Sequence, residues 1–387
     1  MAERVLRFGV LGLSRGFVLM RPTFVADPRC RLTAAADPRP EARAAFEAEF
    51  GGRSYDDAEA LCADPEVDVV YIASPHQYHA EQARLAARHG KHVLVEKPMA
   101  LDLAACRSMT QAARAAGTAL IVGPSHSYDA PVVHAAGLIE GGHYGGVRMI
   151  TAMTFTDFLY RPRRPEELDT AQGGGVVFSQ AAHQVDVVRR LAGSPVKSVR
   201  AQTHAWDPGR PADGAYQALL TFESGAGATL SYSGYGRYDT DALMGWVGET
   251  GARRDPADYG AARRRLAGAP EAELKRGRAY GGGPPAALPD PLAHEHFGWV
   301  MASCAHADIR PTATGVEIYG DTERRTIHLP PPVVPRQGVI DEVWRVVAGG
   351  EPALHDGGWG EANLAVCLAI LRSSADGREV ALSEFET

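Results

Sequence analysis

From residue 5 to residue 126, short apolar runs alternate with longer stretches in which apolar positions recur at helical spacing. Apolar runs without polar alternation are typical of strands buried on both faces of a sheet. The predicted strands are 4–11, 31–36, 67–74, 91–96 and 119–123, and the predicted helices are 40–50, 78–89 and 103–116. This alternation favours right-handed β-α-β units winding a parallel sheet. Residues 1–125 therefore predict a doubly wound, Rossmann-type domain.

The pattern changes after residue 126, where strand-like alternation becomes more frequent than helical spacing. The predicted elements are helices at 132–140 and 173–191, strands at 147–156, 243–247 and 315–329, and a hairpin formed by 215–222 and 226–233. We therefore expect residues 126–387 to form an α+β domain with a large, mostly antiparallel open sheet. Residues 251–291 are rich in Gly, Pro, Ala and Arg and predict an inserted, partly mobile surface segment, with a substrate lid as the alternative.

Composition excludes several classes of protein. The 387 residues carry 40 Lys and Arg against 47 Asp and Glu, a net charge of -7, and no long basic tract, which disfavours nucleic acid as a partner. No apolar stretch approaches the roughly 18 residues of a membrane span, and the first residues lack a signal-peptide core. We expect a soluble, cytoplasmic protein whose partner is a small molecule. The five scattered cysteines, without a CxxC pair, predict neither disulfides nor a zinc knuckle.

The turn after the first predicted strand has the position of a pyrophosphate-binding loop. It reads Gly12-Leu-Ser14-Arg15-Gly-Phe17, so that Ser14 and Phe17 stand at the second and third glycines of the GxGxxG fingerprint. Ser14 still offers its backbone N–H to a phosphate, and Arg15 lies beside it. The loop therefore predicts nucleotide binding, with a purely structural turn as the alternative.

Asp37 ends the second predicted strand, where a carboxylate can accept both ribose hydroxyls of a dinucleotide. The same carboxylate repels a 2′-phosphate, which favours NAD over NADP. Arg15, Arg39 and Arg43 lie close enough in sequence to weaken that preference. We expect NAD or NADP as the cofactor, with NAD favoured.

Two further motifs identify a family. The segments SPHQYH at 74–79 and GKHVLVEKP at 90–98 resemble the hallmark motifs of the Gfo/Idh/MocA oxidoreductases, and the resemblance continues through 173–186 and 340–382. It implies NAD(P)-dependent oxidation of a secondary alcohol or cis-diol by a homodimer or homotetramer. It places Ser74, Pro75, His79, Glu96 and Lys97 at the cofactor. Glu96 would orient Lys97 or the carboxamide of the cofactor, with a structural ion pair as the alternative.

Lys97 follows the fifth predicted strand, at the strand end where ligands of doubly wound sheets bind. Partial burial near a cationic nicotinamide would lower the proton affinity of its amine. The amine could then accept a hydroxyl proton as hydride leaves the same carbon. We therefore expect Lys97 to be the catalytic base, in agreement with the resemblance.

The helix predicted at 173–191 carries the second part of the candidate site. Ser179, His183 and Asp186 have the spacing of one helical face. The resemblance implies that His183 is catalytic and that Asp186 contacts a substrate hydroxyl, although a buried core histidine is the alternative for His183. Ser179 stands where many members have an Asp, which leaves Lys97 and His183 as the catalytic pair. In the domain crossover, Ser125 and Ser127 stand where the family usually has an Asn and an Arg, and the resemblance implies that His126 compensates for them, with a core role as the alternative.

The segments RGF at 15–17, QAAHQ at 180–184 and SCAHADIRP at 303–311 resemble the family branch that acts as phthalate 4,5-cis-dihydrodiol dehydrogenases. A ring bearing carboxylates would then be the substrate, and Arg310, Arg161 and Arg163 are candidates for binding them, with surface arginines as the alternative. The pairs His294/His296 and His76/His79 lack a defined third ligand, so no metal site is expected.

Two other functions remain open at this point. The first is redox-neutral chemistry with tightly bound NAD. The second is a non-catalytic nucleotide-binding regulator, suggested by the substitutions at Ser14, Phe17 and Ser179.

Overall fold

The computed structural model describes residues 4–283 and 293–385. As far as these residues go, the chain forms two compact units. The first unit is drawn from Met1–Pro124, Glu273–Leu288 and Val333–Leu364, and the second from Ser125–Ala272, Pro289–Pro332 and Ala365–Thr387.

The first unit contains a six-stranded parallel sheet in the order β3-β2-β1-β4-β5-β6. Its strands are β1 Leu6–Leu11, β2 Cys30–Ala36, β3 Arg53–Tyr55, β4 Val69–Ile72, β5 His92–Val95 and β6 Leu120–Val122. The helices between them are α1 Arg15–Ala26, α2 Pro40–Phe50, α3 Ala58–Ala63, α4 His79–Arg88 and α5 Leu103–Ala116. The strand order reverses between β1 and β4, and ligands of such sheets bind at that switch point. The predicted Rossmann fold is confirmed.

The helices of this unit begin and end at residues that favour helix termini. The Asp102 side chain accepts the Ala105 N–H at 2.7 Å and caps the first turn of α5, while Gly117 ends that helix in the left-handed region at φ 67°. Pro40 begins α2 at a position that needs no hydrogen-bond donor. All four residues of β4 are buried, as expected for an inner strand of a sheet covered on both faces.

The second unit is built on a nine-stranded sheet in the order β14-β13-β12-β11-β7-β10-β9-β8-β15. Its strands are β7 Val147–Phe155, β8 Val196–His204, β9 Ala215–Phe222, β10 Gly227–Ser233, β11 Trp299–Cys304, β12 Ala307–Thr312, β13 Gly315–Gly320, β14 Arg324–His328 and β15 Val380–Ala381. The remaining helices of the chain are α6 Ala130–Glu140, α7 Ala182–Ala192, α8 Ala261–Gly268, α9 Glu271–Arg276, α10 Gln337–Gly349 and α11 Gly357–Asp376. Among the paired strands described, β7 and β10 are parallel and the other pairs are antiparallel. The predicted mostly antiparallel sheet is confirmed.

Two predicted strands of this unit are wrong. Residues 243–247 do not extend, because Asp239 accepts the Asp241 N–H and begins a 3₁₀ helix over Thr240–Met244. The single strand predicted at 315–329 is the hairpin of β13 and β14, with its turn at Gly320.

The predicted insert is more structured than its composition suggests. It contains α8 and α9, and beyond α9 Tyr280 packs against Phe17 within the first unit. The Tyr280 N–H donates to the carbonyl of Leu13 at 3.3 Å, its hydroxyl donates to Glu49 at 2.7 Å, and its ring meets Phe17 edge-on at 5.1 Å. The part of the predicted insert from 284 to 291 lies outside the described residues.

Tyr280→Ala is expected to detach this segment from the first unit. Loss of a buried aromatic side chain typically costs about 3–5 kcal/mol, which is shared between the segment and its partners. Trypsin cleavage after Arg278 should therefore accelerate at least about tenfold, because about 1.4 kcal/mol already gives that factor. Tyr259→Ala, at a tyrosine of the same insert that is 64% exposed, should leave the cleavage rate unchanged. Equal rates in both variants would show that Tyr280 does not anchor the segment.

Candidate active site

The turn between β1 and α1 has the geometry of a phosphate cradle. Gly12 has φ +90°, and a Cβ atom there would lie 2.7 Å from the Cα of Ser74. A Cβ on Gly16 would lie 3.0 Å from Oε1 of Glu96, so Gly16 allows α1 to approach the sheet. The Ser14 hydroxyl donates to the carbonyl of Ala73 at 2.7 Å and ties the turn to the end of β4. The turn therefore presents the N-terminus of α1, where a pyrophosphate binds.

Phe17 does not have the helix-packing role that its match to the third glycine of the GxGxxG fingerprint predicts. It is fully buried and packs its ring among Phe46, Phe50 and Tyr280. The helix-packing role of the third glycine belongs to Gly16 instead. Phe17 therefore does not obstruct nucleotide binding, which removes one argument for the regulator alternative.

Asp37 braces the same turn from the end of β2. One carboxylate oxygen accepts the Leu13 N–H at 2.8 Å, and the other accepts the Arg39 N–H at 2.9 Å. The Arg39 guanidinium forms an ion pair with this carboxylate and also donates to the Leu13 carbonyl at 2.8 Å. A ribose could use the Asp37 oxygens when Arg39 turns away from them. The residues present fit a dinucleotide at this edge of the sheet.

Gly12→Ala is expected to weaken nucleotide binding. The added methyl group would meet the Ser74 backbone, which cannot rotate away, and alanine disfavours positive φ. We expect the Kd for NAD to rise at least about tenfold, measured by titration calorimetry. Gly51→Ala is the matched control, because Gly51 also has positive φ (64°) but has open space around its Cβ position. A Gly12→Ala protein with native affinity would exclude this turn as the nucleotide site.

Lys97 follows β5 in a segment that other side chains hold in place. The two imidazole nitrogens of buried His79 lie 2.9 Å from the Ser74 carbonyl and 3.1 Å from the Pro98 carbonyl, and so link the ends of β4 and β5. The Lys97–Pro98 peptide bond is cis. Lys97 itself is half-buried. His79 therefore ties together the two segments that flank the candidate site.

Glu96 lies beside the start of α1 and accepts the Tyr71 hydroxyl at 2.7 Å. Burial raises the pKa of this carboxyl, although the Lys97 charge and the Tyr71 hydrogen bond oppose the rise. Glu96 thus lies beside the phosphate cradle at Gly16 and directly precedes Lys97 in the sequence. Pro75 begins the short 3₁₀ helix His76–Tyr78, and the Ser74 hydroxyl donates to Gln82 at 2.6 Å.

The predicted residues of the second unit gather around a short 3₁₀ helix at His126–Tyr128. The Ser125 hydroxyl lies 3.1 Å from Nδ1 of His183, and the Ser127 N–H donates to Asp186 at 3.0 Å. The rings of His126 and His183 lie 4.8 Å apart. The structure therefore brings His126, His183 and Asp186 together around this 3₁₀ helix.

His126 carries the strongest electrostatic perturbation of this group. Burial would lower its pKa, but the carboxylates of Asp129, at 2.7 Å from Nδ1, and Glu249 outweigh burial and raise the pKa to about 10. Glu249 approaches Nε2 at 3.7 Å with one oxygen, and its other oxygen lies 3.7 Å from Arg161. His126 is therefore a cation at neutral pH in the described structure.

Ser179 does not lie on the regular helix that the sequence predicts for it together with His183 and Asp186. Residues Val177–Ala181 form a π-helical turn before α7, so the regular spacing from Ser179 to His183 is interrupted. The Ser179 hydroxyl donates to the carbonyl of Gly175. His183 and Asp186 share α7, and Ser179 lies one turn earlier.

The three candidate arginines have different surroundings. Arg310 on β12 forms an ion pair with Glu317 at 3.0 Å, and Arg163 stacks on Phe158 at 3.6 Å from the ring centroid. Arg161 is the one that reaches Glu249 and hence the histidine cluster.

Sequence reasoning missed Glu249 and Phe297, whose ring contacts both His126 and His183. Neither has a local motif, because the fold brings them to the cluster from distant parts of the chain.

Comparisons with known proteins define the class. The model of the oxidoreductase family with an NAD-binding Rossmann fold matches residues 6–124, and the GFO/IDH/MocA C-terminal domain matches residues 132–253. The chain belongs to the GFO/IDH/MocA family, as the motifs indicated. It is an NAD(P)-dependent oxidoreductase acting on CH–OH groups.

Particular relatives are similar over nearly the whole chain. The chain is 45% identical to the 1-carboxy-3-chloro-3,4-dihydroxycyclohexa-1,5-diene dehydrogenase of Comamonas testosteroni, over 95% of this chain and 94% of that one. A crystal structure from Bordetella bronchiseptica RB50, named a dehydrogenase, superposes with a TM-score of 0.92 at 39% identity and covers 97% of this chain and 100% of that one. The WlbA dehydrogenase of Bordetella pertussis, at 23% identity and a TM-score of 0.68 over 98% and 99%, shares the fold. Within the described residues, no helix is long and apolar enough to cross a membrane.

Proposed function

We propose that this protein oxidises a cis-dihydrodiol, on a ring that bears a carboxylate, to the corresponding catechol. The similarity to the Comamonas testosteroni dehydrogenase, over almost the full length of both chains, carries the proposal. The second unit supports it, because the His126 imidazolium and the Arg161 guanidinium lie on either side of Glu249 there, and either cation could pair with a substrate carboxylate.

In this reaction Lys97 accepts the proton of one substrate hydroxyl. The neighbouring C–H bond breaks, its electron pair leaves with the hydrogen, and a carbon–oxygen double bond forms. Enolisation of the resulting hydroxyketone then gives the aromatic catechol. Bound at the β1–α1 turn, the nicotinamide cofactor supplies the hydride acceptor. The two hydrogens removed from the diol thus appear as one hydride and one proton.

The second unit contributes the groups that hold the diol. His183, oriented by the Ser125 hydroxyl, hydrogen-bonds the reacting oxygen. Asp186 fixes the turn that carries Ser125 and His126 through its bond with the Ser127 N–H. Arg161 and His126 balance the charge of the ring carboxylate.

We infer that NAD is the preferred cofactor, although Arg39 weakens the preference for NAD over NADP. The Asp37 carboxylate disfavours a 2′-phosphate, while the paired Arg39 guanidinium lies beside it and could receive one. NAD should therefore bind more tightly than NADP, and Arg39→Ala should widen the difference.

The proposed function is tested with purified protein, NAD and a panel of cis-dihydrodiols with and without a ring carboxylate. We expect NADH and catechol to form in equal amounts, with the highest kcat/KM for the carboxylated ring. Substrate consumption without net NADH would favour redox-neutral chemistry with tightly held NAD. A protein that binds NAD but converts no diol or other alcohol would contradict the proposal.

A further inference from the structure

Tyr232 on β10 carries a buried hydroxyl that has no hydrogen-bond partner within residues 4–283 and 293–385. The residue is only 2% exposed. Tyr216, its register partner on β9, is buried to the same degree, but its hydroxyl donates to Gln184 at 2.7 Å. Buried polar groups are nearly always hydrogen-bonded, because the loss of water without a replacement costs free energy. The Tyr232 hydroxyl is therefore a candidate for binding a ligand.

Two phenylalanine rings connect Tyr232 to the charged groups of the candidate site. The Tyr232 ring lies nearly parallel to that of Phe297, with centroids 6.1 Å apart and planes 13° apart, and Phe297 also contacts both histidines of the site. On another side, the Tyr232 ring meets that of Phe158 edge-on at 6.5 Å. The same Phe158 ring lies 5.7 Å from the Arg161 guanidinium. Tyr232 thus belongs to the aromatic cluster that borders Arg161 and the histidines.

The surroundings of Tyr232 keep its hydroxyl protonated. Burial raises the pKa of this phenol well above its usual value, and the Glu249 charge adds to the rise while the Arg161 charge opposes it. At neutral pH the hydroxyl is therefore a hydrogen-bond donor. A donor suits an anionic acceptor, since hydrogen bonds to charged groups are the strong ones.

Arg161 supplies a cation near this donor. Its Nη2 donates to the Thr156 hydroxyl at 2.8 Å and its Nε donates to Asp157 at 3.3 Å. Its Nη1 lies 3.7 Å from Glu249, which is longer than an ordinary hydrogen bond. A substrate carboxylate could therefore replace Glu249 at Nη1, and such an exchange would leave the charge beside Arg161 unchanged.

We propose that the Tyr232 hydroxyl donates a hydrogen bond to the ring carboxylate of the substrate, while Arg161 pairs with the same carboxylate. The inference rests on the proposed function for the identity of the ligand. It makes Tyr232 a specificity-determining residue, which holds the carboxylate and takes no part in the transfer of hydride or proton.

Tyr232→Phe removes the hydroxyl and keeps the ring. Titration calorimetry of the full-length protein in the presence of NAD compares 3,4-dihydroxybenzoate, a catechol with a ring carboxylate, with catechol itself. The Kd for 3,4-dihydroxybenzoate should rise about 10–100-fold, because a hydrogen bond to a charged group is lost, and the Kd for catechol should stay unchanged. The KM for a carboxylated dihydrodiol should rise in parallel at constant kcat, since the hydroxyl binds substrate and transition state alike.

Tyr216→Phe is the matched control, because it makes the same chemical change in a neighbouring buried ring, 5.8 Å from that of Tyr232. It leaves Gln184 without its tyrosine donor, so the Tm should fall while the preference for 3,4-dihydroxybenzoate over catechol stays unchanged. Tyr232→Phe should not lower the Tm, because no described partner loses a hydrogen bond. The two variants thus separate a ligand-binding hydroxyl from a structural one.

An unchanged Kd for 3,4-dihydroxybenzoate in Tyr232→Phe, or no binding of this probe to the wild type, would overturn the inference. An equal rise of the Kd for catechol would also overturn it, because Tyr232 would then act on any ring. A fall of Tm as large as that of Tyr216→Phe would do the same, since it would reveal a partner within the protein. Selective loss of 3,4-dihydroxybenzoate binding in a protein that oxidises no diol would contradict the proposed function and support the carboxylate subsite.

Discussion

Lys97→Met is expected to lower kcat by about 10³-fold, in the middle of the 10²–10⁴ range that a positioned general base contributes. The methionine side chain has similar length but cannot accept the hydroxyl proton. The Kd for NAD should change much less than kcat, because the turn at Gly12 and Gly16, which would hold the pyrophosphate, is unaltered in this variant. Stopped-flow turnover and calorimetric titration measure the two quantities separately.

Two further variants show whether the loss of activity in Lys97→Met comes from loss of the base. Lys97→Arg keeps the positive charge but cannot deprotonate in a protein, so it should be as inactive as Lys97→Met if the amine acts as a base. Recovery of turnover in Lys97→Arg would assign the residue a purely electrostatic role. Lys197→Met changes an exposed lysine on β8 in the same way and should retain full activity. Normal turnover in Lys97→Met would exclude the lysine as the base.

The first unit could be predicted closely because its signals are local. The bounds of α2 and α5 are set by residues next to them, such as Pro40, Asp102 and Gly117, and the predicted and observed ranges coincide. The short elements β3 and α3 were not predicted, because three to six residues give too little periodicity.

In the second unit the missing elements depend on distant partners. Strand β11 pairs with β7, about 150 residues earlier, and with β12. Its sequence alone, WVMASC, has no clear alternation to mark it. Conversely, residues 243–247 are apolar and were predicted to be extended, but the Asp239 cap begins a 3₁₀ helix over Thr240–Met244 that includes the first of them. A local hydrogen bond there outweighed the strand propensity.

Some residues of the candidate site could be predicted from the sequence, and others could not. Lys97 and His183 could be found because each lies in a continuous motif that the family shares. Glu249 and Phe297 could not, because each approaches His126 only through folding across more than 100 residues.

His183→Gln is expected to reduce kcat/KM for the diol by about 10²–10³-fold. The imidazole is held through Nδ1 by Ser125 and by the Phe297 ring, and a glutamine amide cannot reproduce the ring contact that positions the hydrogen bond to the reacting oxygen. NAD affinity should be unchanged, since the nucleotide cradle belongs to the first unit. His328→Gln, at an exposed histidine on β14, is the control and should behave as the wild type.

Ser125→Ala separates the position of the imidazole from its chemistry. It removes one hydrogen bond, typically about 0.5–1.5 kcal/mol, so kcat/KM should fall by about 2–12-fold. This smaller loss is expected because Phe297 still holds the ring of His183. If Ser125→Ala were as damaging as His183→Gln, the orientation of the ring would be the decisive factor. Wild-type turnover in His183→Gln would instead assign this histidine to the packing of α7 and leave Lys97 as the sole titrating group of the reaction.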